Sequence, residues 1–241
     1  MAEGIRINKY LSEAGICSRR AADEYILKGR ITINGKPAEM GQKIEANDRV
    51  MVDGKLVRKR EETVILAYNK PLGLTCTASH DDPDNIFDHI KYPIRLQYVG
   101  RLDKDSTGLL ILTNDGDLIN ELTHPSVKVP KIYIVTVNSA VHRKDLEQMA
   151  NGVEIEPNKM AYADIQVLEI DNKHTEMQIT LYQGMNRQIR KMFEYFGYEV
   201  KVLKRVQHAT IRLDGLKRGD VKPLKPAQIK ELKNFLNRIS K

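Results

Sequence analysis

Cysteine is scarce in this chain: Cys17 and Cys76 are its only two in 241 residues, far apart and with no CxxC. That excludes a disulfide framework and a thiolate metal site, and it fits a reducing compartment. Long apolar runs are also missing. The longest, Val64 to Ala67 and Leu109 to Leu112, fall far short of the roughly 20 residues that a membrane-spanning helix needs. Met1 to Tyr10 carries Glu3, Arg6 and Lys9 and no apolar core of a secretory signal, so the expected location is the cytoplasm, with no membrane partner. The histidines (His80, His89, His124, His142, His174 and His208) show no HxxxH or HExxH spacing. No glycine-rich phosphate loop or nucleophile elbow is present either. Neither a metal, nor a nucleotide cofactor, nor a Ser or Cys triad is therefore expected.

What is there reads as a folded chain long enough for two domains, with 41% hydrophobic and 29% charged residues. Lys and Arg number 39 against 32 Asp and Glu, a net charge of +7, which makes a polyanion a plausible partner. The excess is uneven. Residues 1–60 hold 13 basic against 8 acidic side chains, and 186–205 hold Arg187, Arg190, Lys191, Lys201, Lys204 and Arg205 against Glu194 and Glu199. Two basic regions suggest two contact surfaces, or else two solvated faces.

Helical spacing of Ile7, Tyr10, Leu11 and Ala14 predicts a first helix stopped by Gly15, and Ser18 is placed to cap a second with Ala21, Ala22, Tyr25 and Ile26 as its apolar stripe. Short strands are predicted at 30–33 and 49–52, with turns at Asn34-Gly35 and Asp53-Gly54. Arg19 and Arg20 open the second helix while Lys28 and Arg30 flank its end, so one outer face could take a phosphate backbone. Residues 56–62 read as a linker. The expected domains are thus 1–60 and 61–241. In the second, strands are predicted at 64–68, 109–113, 133–137, 163–170 and 175–181, with helices at 117–122, 143–150, 188–196 and 225–239. Strands and helices do not alternate one for one, which favours α+β over a doubly wound sheet.

The most informative stretch runs from Gly100 to Gly108, GRLDKDSTG, and feeds the apolar strand. Asp103 lies there between Arg101 and Lys104 in a glycine-bounded loop, on pattern alone more the setting of a plain solvated turn than of a nucleophile or base. Asp103 with Asp105 makes a poor glycosidase pair, because adjacency does not set the carboxyl separation that such chemistry needs.

Gly100-Arg101-Leu102-Asp103 with Ser106-Thr107-Gly108-Leu109-Leu110 resembles the catalytic motif of the RsuA, RluB, RluE and RluF family of rRNA pseudouridine synthases. Lys70-Pro71-Leu72-Gly73, Lys131-Ile132-Tyr133-Ile134-Val135 and Asn186-Arg187-Gln188-Ile189-Arg190-Lys191-Met192 resemble further motifs of that family, in matching order. Arg6 to Val52 resembles its small alpha-L RNA-binding domain. The resemblance implies a larger catalytic domain built on a mixed, largely antiparallel β-sheet with flanking helices. It also implies isomerisation of uridine to pseudouridine without cofactor.

Carried over by motif, Asp103 is the essential aspartate, which attacks C1′ of the ribose or deprotonates C2′. Arg190 is the arginine that pairs with it, and Tyr133 stacks on the base, although strand pattern alone makes Tyr133 a core residue. Leu203 packs near the flipped uridine or is simply core. Arg101 fills the space left by the extruded base or is a surface arginine. Arg187, Arg6, Lys9, Arg19, Arg20, Lys28 and Arg30 are the expected RNA contacts. Extruding a base costs a few kcal/mol, and the 2′-hydroxyl beside the reacting carbon makes RNA the natural substrate. Residues 184–190 and 196–200 most resemble the RluF branch, which implies structured large-subunit rRNA as the partner; a monomer is the default expectation. Small-subunit rRNA, tRNA, or a non-catalytic role in ribosome assembly are the alternatives.

Overall fold

The computed structural model describes residues 4–58, 62–79 and 81–239, which leaves Lys59, Arg60 and Glu61 of the expected linker, and His80, outside the described residues. Contacts divide the chain into two compact units. One takes in the chain up to Val64 with Tyr92–Leu96 and Asn114–Gly116, and the other takes in the rest.

In the first unit, helices Ile7–Glu13 and Arg19–Leu27 pack their apolar stripes on a four-stranded antiparallel sheet. Its strands, in spatial order, are Lys36–Pro37, Ile31–Ile33, Val50–Val52 and Lys55–Leu56. Ser18 caps the second helix by accepting from the Ala21 amide at 3.1 Å. Ile7, Leu11, Ala22, Ile26, Ile31 and Val50 form the centre of the core. Both predicted turns have two successive positive φ angles, 52° and 80° at Asn34-Gly35 and 50° and 74° at Asp53-Gly54, the backbone of type I′ hairpins. Leu56 belongs to the last strand and not to a linker.

The second unit is built on one sheet of nine strands. Its main path runs Asp164–Ile170, Thr175–Leu181, Lys131–Val137, Val200–His208, Thr107–Thr113, Ile65–Lys70 and Val221–Pro223. Ile211–Arg212 and Gln97–Val99 pair off this path. All pairings are antiparallel except Thr107–Thr113 with Val200–His208. This is the mixed, largely antiparallel α+β arrangement expected. Leu109 to Leu112 are fully buried, as a central strand covered on both faces must be. Leu109 and Ile111 pack with Leu118 and Leu122 of helix Gly116–Thr123 and Leu232 and Leu236 of helix Pro226–Ile239. Among the described residues no helix is long and apolar enough to cross a membrane.

The nine-residue strand Val200–His208 is the main element that the sequence pattern does not predict. Two bulges explain this. Lys201 and Val206 have no register partner on Lys131–Val137, so the side chains lose the period of two. A buried arginine, Arg205, then stands where an apolar residue is expected.

The parallel pairing of that strand depends on Gly108. Its φ is +103°, and a Cβ there would lie 2.2 Å from the Arg205 carbonyl oxygen and 2.8 Å from its amide nitrogen. Backbone cannot yield as a side chain can. Gly108→Ala is expected to lower stability by roughly 1–3 kcal/mol, measured by denaturant unfolding, whereas Gly116→Ala, which has open space around it, should stay near wild type.

Candidate active site

The loop 100–106 leaves strand Gln97–Val99 and re-enters the sheet as Thr107–Thr113, so its side chains sit over the ends of the central strands. Lys70, the last residue of strand Ile65–Lys70, fixes it. Lys70 has no exposed surface. Its ammonium donates to the carbonyls of Pro71 at 3.1 Å, Asp103 at 3.1 Å and Ser106 at 2.8 Å. Burial pushes its pKa down, against the pull of Cys76, Asp103 and Asp105.

With its carbonyls turned to Lys70, the loop offers its carboxylates to the segment that begins helix Gln188–Tyr195. Arg187 caps that helix in the left-handed region, φ 50°. Its guanidinium grips Asp105 through two bonds of 3.2 and 3.1 Å and lies 3.8 Å from the Asp103 carboxylate. Arg190 makes an ion pair with the Asp105 carboxylate, its Nε 3.2 Å away without a hydrogen bond, and donates to the Asp105 carbonyl at 2.9 Å and the Val200 carbonyl at 2.8 Å. Partial burial raises the Asp105 pKa, but Arg187 and Arg190 outweigh it and hold the carboxyl below its ordinary value.

This corrects the expected pairing of Arg190 with Asp103. Among the described residues Arg190 makes no ion pair with Asp103; Asp105 takes its guanidinium, and Arg187 is the arginine beside Asp103. The physical reason is the helix. Arg190 lies one turn in and reaches back to the Val200 carbonyl, while Arg187 stands at the mouth.

A cavity of about 600 Å³ opens beside the loop. Arg101, Asp103, Tyr133, Arg187 and Leu203 all line it, so five of the expected site residues converge, and Arg190 is not among the lining residues. Asp103 is about one-third exposed, Arg101 exposed, Tyr133 and Leu203 buried. Tyr133 is the register partner of Arg205, and Val135 that of Leu203, so neighbouring strands bring these side chains together.

Lys131 and Arg205 also line the cavity and were not read from the sequence as site residues. Burial and the charge of Arg205 push Lys131 down to about 8. Buried His208 is held well below the usual histidine range by desolvation, with Arg205 and Lys131 adding to it. Lys131 opens the motif that carries Tyr133, two residues before it on one strand, and that position was the signal; nothing local marks Arg205.

The other expected RNA contacts lie in the first unit and none lines this cavity. Arg6, Arg19, Arg20 and Lys28 are exposed, and Lys9 pairs with Glu13 at 3.5 Å. Arg30 is engaged within the chain, forked onto Asp53 and set 3.9 Å over the Tyr25 ring.

Replacing Lys70 by Met would take the ammonium donor from the Pro71 and Ser106 carbonyls and leave the Asp103 carbonyl with only the Ser106 amide, at 3.0 Å. Lys70→Met is expected to cost roughly 2–3 kcal/mol by denaturant unfolding. A stability unchanged from wild type would show that the loop holds itself.

The family model for RNA pseudouridylate synthase matches residues 64–195, and that of the S4 domain matches residues 5–50. Over 230 residues the chain is 40% identical to the dual-specificity RNA pseudouridine synthase RluF of Escherichia coli, spanning 95% of this chain and 78% of that protein. It is 38% identical over 233 residues to ribosomal large subunit pseudouridine synthase B of Bacillus subtilis, spanning 95% of each. A crystal structure of a pseudouridylate synthase superposes with a TM-score of 0.68 at 29% identity, over 95% of this chain and 99% of that one. A catalytic-domain match over more than half the chain, a preceding S4 domain and these relatives agree: the chain belongs to the RNA pseudouridine synthase family, and its activity is that of an isomerase.

Proposed function

We propose that this enzyme converts a uridine of large-subunit rRNA to pseudouridine with Asp103 as its catalytic carboxylate. The observation that carries this is the convergence of Asp103 and Tyr133, from separate elements, on one cavity rimmed by Arg101 and Arg187. A volume of about 600 Å³ lies within the usual range for small-molecule sites. The relative from Bacillus subtilis, whose name specifies the large ribosomal subunit, matches end to end and supports that choice of RNA.

In this reading the target nucleotide leaves its stack and enters the cavity, where the Tyr133 ring stacks on the base. Arg101 and Arg187, at the mouth, take the flanking phosphates or the gap left behind. Asp103 either bonds to C1′ or removes the C2′ proton, and both routes need a carboxylate without a proton on it. The N1–C1′ bond breaks, the base turns, C5 bonds to C1′ and the C5 hydrogen leaves. Arg190 acts at one remove: it holds Asp105, which holds Arg187 beside Asp103. The exposed Arg6, Arg19, Arg20 and Lys28 of the S4 domain, with Lys9, bind the surrounding RNA, while Arg30 keeps its bonds to Asp53. A residue boundary near 60 separates binding from chemistry, and the enzyme works as a monomer in the cytoplasm.

Tritium release from RNA labelled at C5 of uridine tests this directly. Wild type is expected to release label from large-subunit rRNA and not from small-subunit rRNA or tRNA, with Asp103→Asn slower by at least roughly a thousandfold. Release from another RNA would reassign the substrate; release by Asp103→Asn at the wild-type rate would remove Asp103 from the chemistry.

Arg190→Lys keeps the charge but cannot serve Asp105 and the Val200 carbonyl together. It is expected to lower the rate at saturating RNA by roughly ten- to a hundredfold, a loss of positioning. Near-wild-type turnover would show that Arg187 needs no such support.

A further inference from the structure

The two carboxylates of the catalytic loop already have cations, since Arg187 and Arg190 take Asp105 and Arg187 also stands beside Asp103. Lys131 and Arg205 are left over. Among the described residues neither makes an ion pair, yet both line the cavity. Arg205 is 2% exposed. Of its five guanidinium donors one is engaged, the Nε to the Leu109 carbonyl at 2.7 Å, and Nη2 is buried without a partner. Lys131 is half-buried and donates to the Val129 carbonyl at 3.2 Å. A buried cation without an anion is unfavourable unless a ligand completes it.

Their place in the sheet says which charge they await. Lys131 precedes Tyr133 by two residues on one strand, and Arg205 is the register partner of Tyr133 on the next. A base stacked on Tyr133 thus has both cations beside it in the cavity. Phosphates, which stay in water, suit the exposed Arg101 and Arg187 at the mouth.

We propose that Lys131 and Arg205 stabilise the uracil anion, donating to its carbonyl oxygens once the base has left C1′. This rests on the synthase reading above and adds a role that the carboxylate does not fill. When the N1–C1′ bond breaks, its electron pair stays on N1 and the charge spreads to O2 and O4. The charge is absent from the bound uridine and absent again once that pair has formed the C5–C1′ bond, after which C5 loses its proton and N1 gains one. Neither Lys131 nor Arg205 gives or takes a proton in these steps. Donors fixed where charge develops lower the barrier, not the dissociation constant.

The experiment uses the RNA that wild type converts and compares Lys131→Met with wild type, alongside Arg205→Lys and Arg205→Met. It reads the single-turnover rate, Kd at several salt concentrations, and thermal stability. Lys131→Met is expected to slow the single-turnover step ten- to a hundredfold, with Kd within threefold and an unchanged salt slope; Arg205→Lys should retain more rate than Arg205→Met. The same RNA carrying 5-fluorouridine at the target, whose uracil anion is intrinsically more stable, should narrow the gap between wild type and Lys131→Met in N1–C1′ cleavage.

A weakened Kd with a salt slope lower by about one and an unchanged rate would assign Lys131 to a phosphate instead. No change in any reading, or an equal slowing on uridine and 5-fluorouridine, would likewise overturn the proposal. Wild type that converts no RNA would instead bring down the synthase reading, and this inference with it.

Discussion

An ammonium group with no route to water holds loop 100–106 in place. Lys70 ends a core strand and receives three carbonyls, two of them from the loop itself. A lysine buried this way is stable only while those oxygens stay near it. The loop therefore cannot drift from the sheet without stranding a charge, and its carboxylates are left facing the opposite wall. One inward cation thus orders two outward anions, and they in turn order the arginines that begin helix Gln188–Tyr195.

Charges in the cavity are sorted by depth. Exposed arginines stand at the mouth, the Asp103 carboxylate and half-buried Lys131 lie between, and Arg205 is buried, and neither Lys131 nor Arg205 has a carboxylate of its own. That arrangement suits a ligand whose phosphates stay wet while its base goes dry. In the proposed reading, it also sets the exposed arginines apart from the groups facing a charge present only during reaction, which lets affinity and rate be adjusted independently.

Much of this was legible in the sequence, wherever local chemistry decides the outcome. Ser18, the Asn34-Gly35 and Asp53-Gly54 turns, the apolar run through Leu112 and the long helix ending at Ile239 follow from capping, positive φ and periodicity. The loop bearing Asp103 and the strand bearing Tyr133 were found by motif. Other features are set by contacts between distant segments. Strand Val200–His208 hid behind two bulges, Arg205 among other basic residues, and the preference of Arg190 for Asp105 in how far one helical turn places it from the mouth. Asp105 was visible as a loop carboxylate, but its two arginines are more than 80 residues away.

The single parallel pairing of the sheet also bears on how the enzyme comes into being. Arg205 and Leu109 bond across a sequence separation of 96 residues. The pairing is non-local, so it forms only after both distant segments are available. A growing chain that has already exposed Asp103 and Tyr133 still lacks the strand that floors their cavity. The Lys70-anchored loop can form earlier, but the cavity is complete only when Val200–His208 adds Leu203 and Arg205 to it.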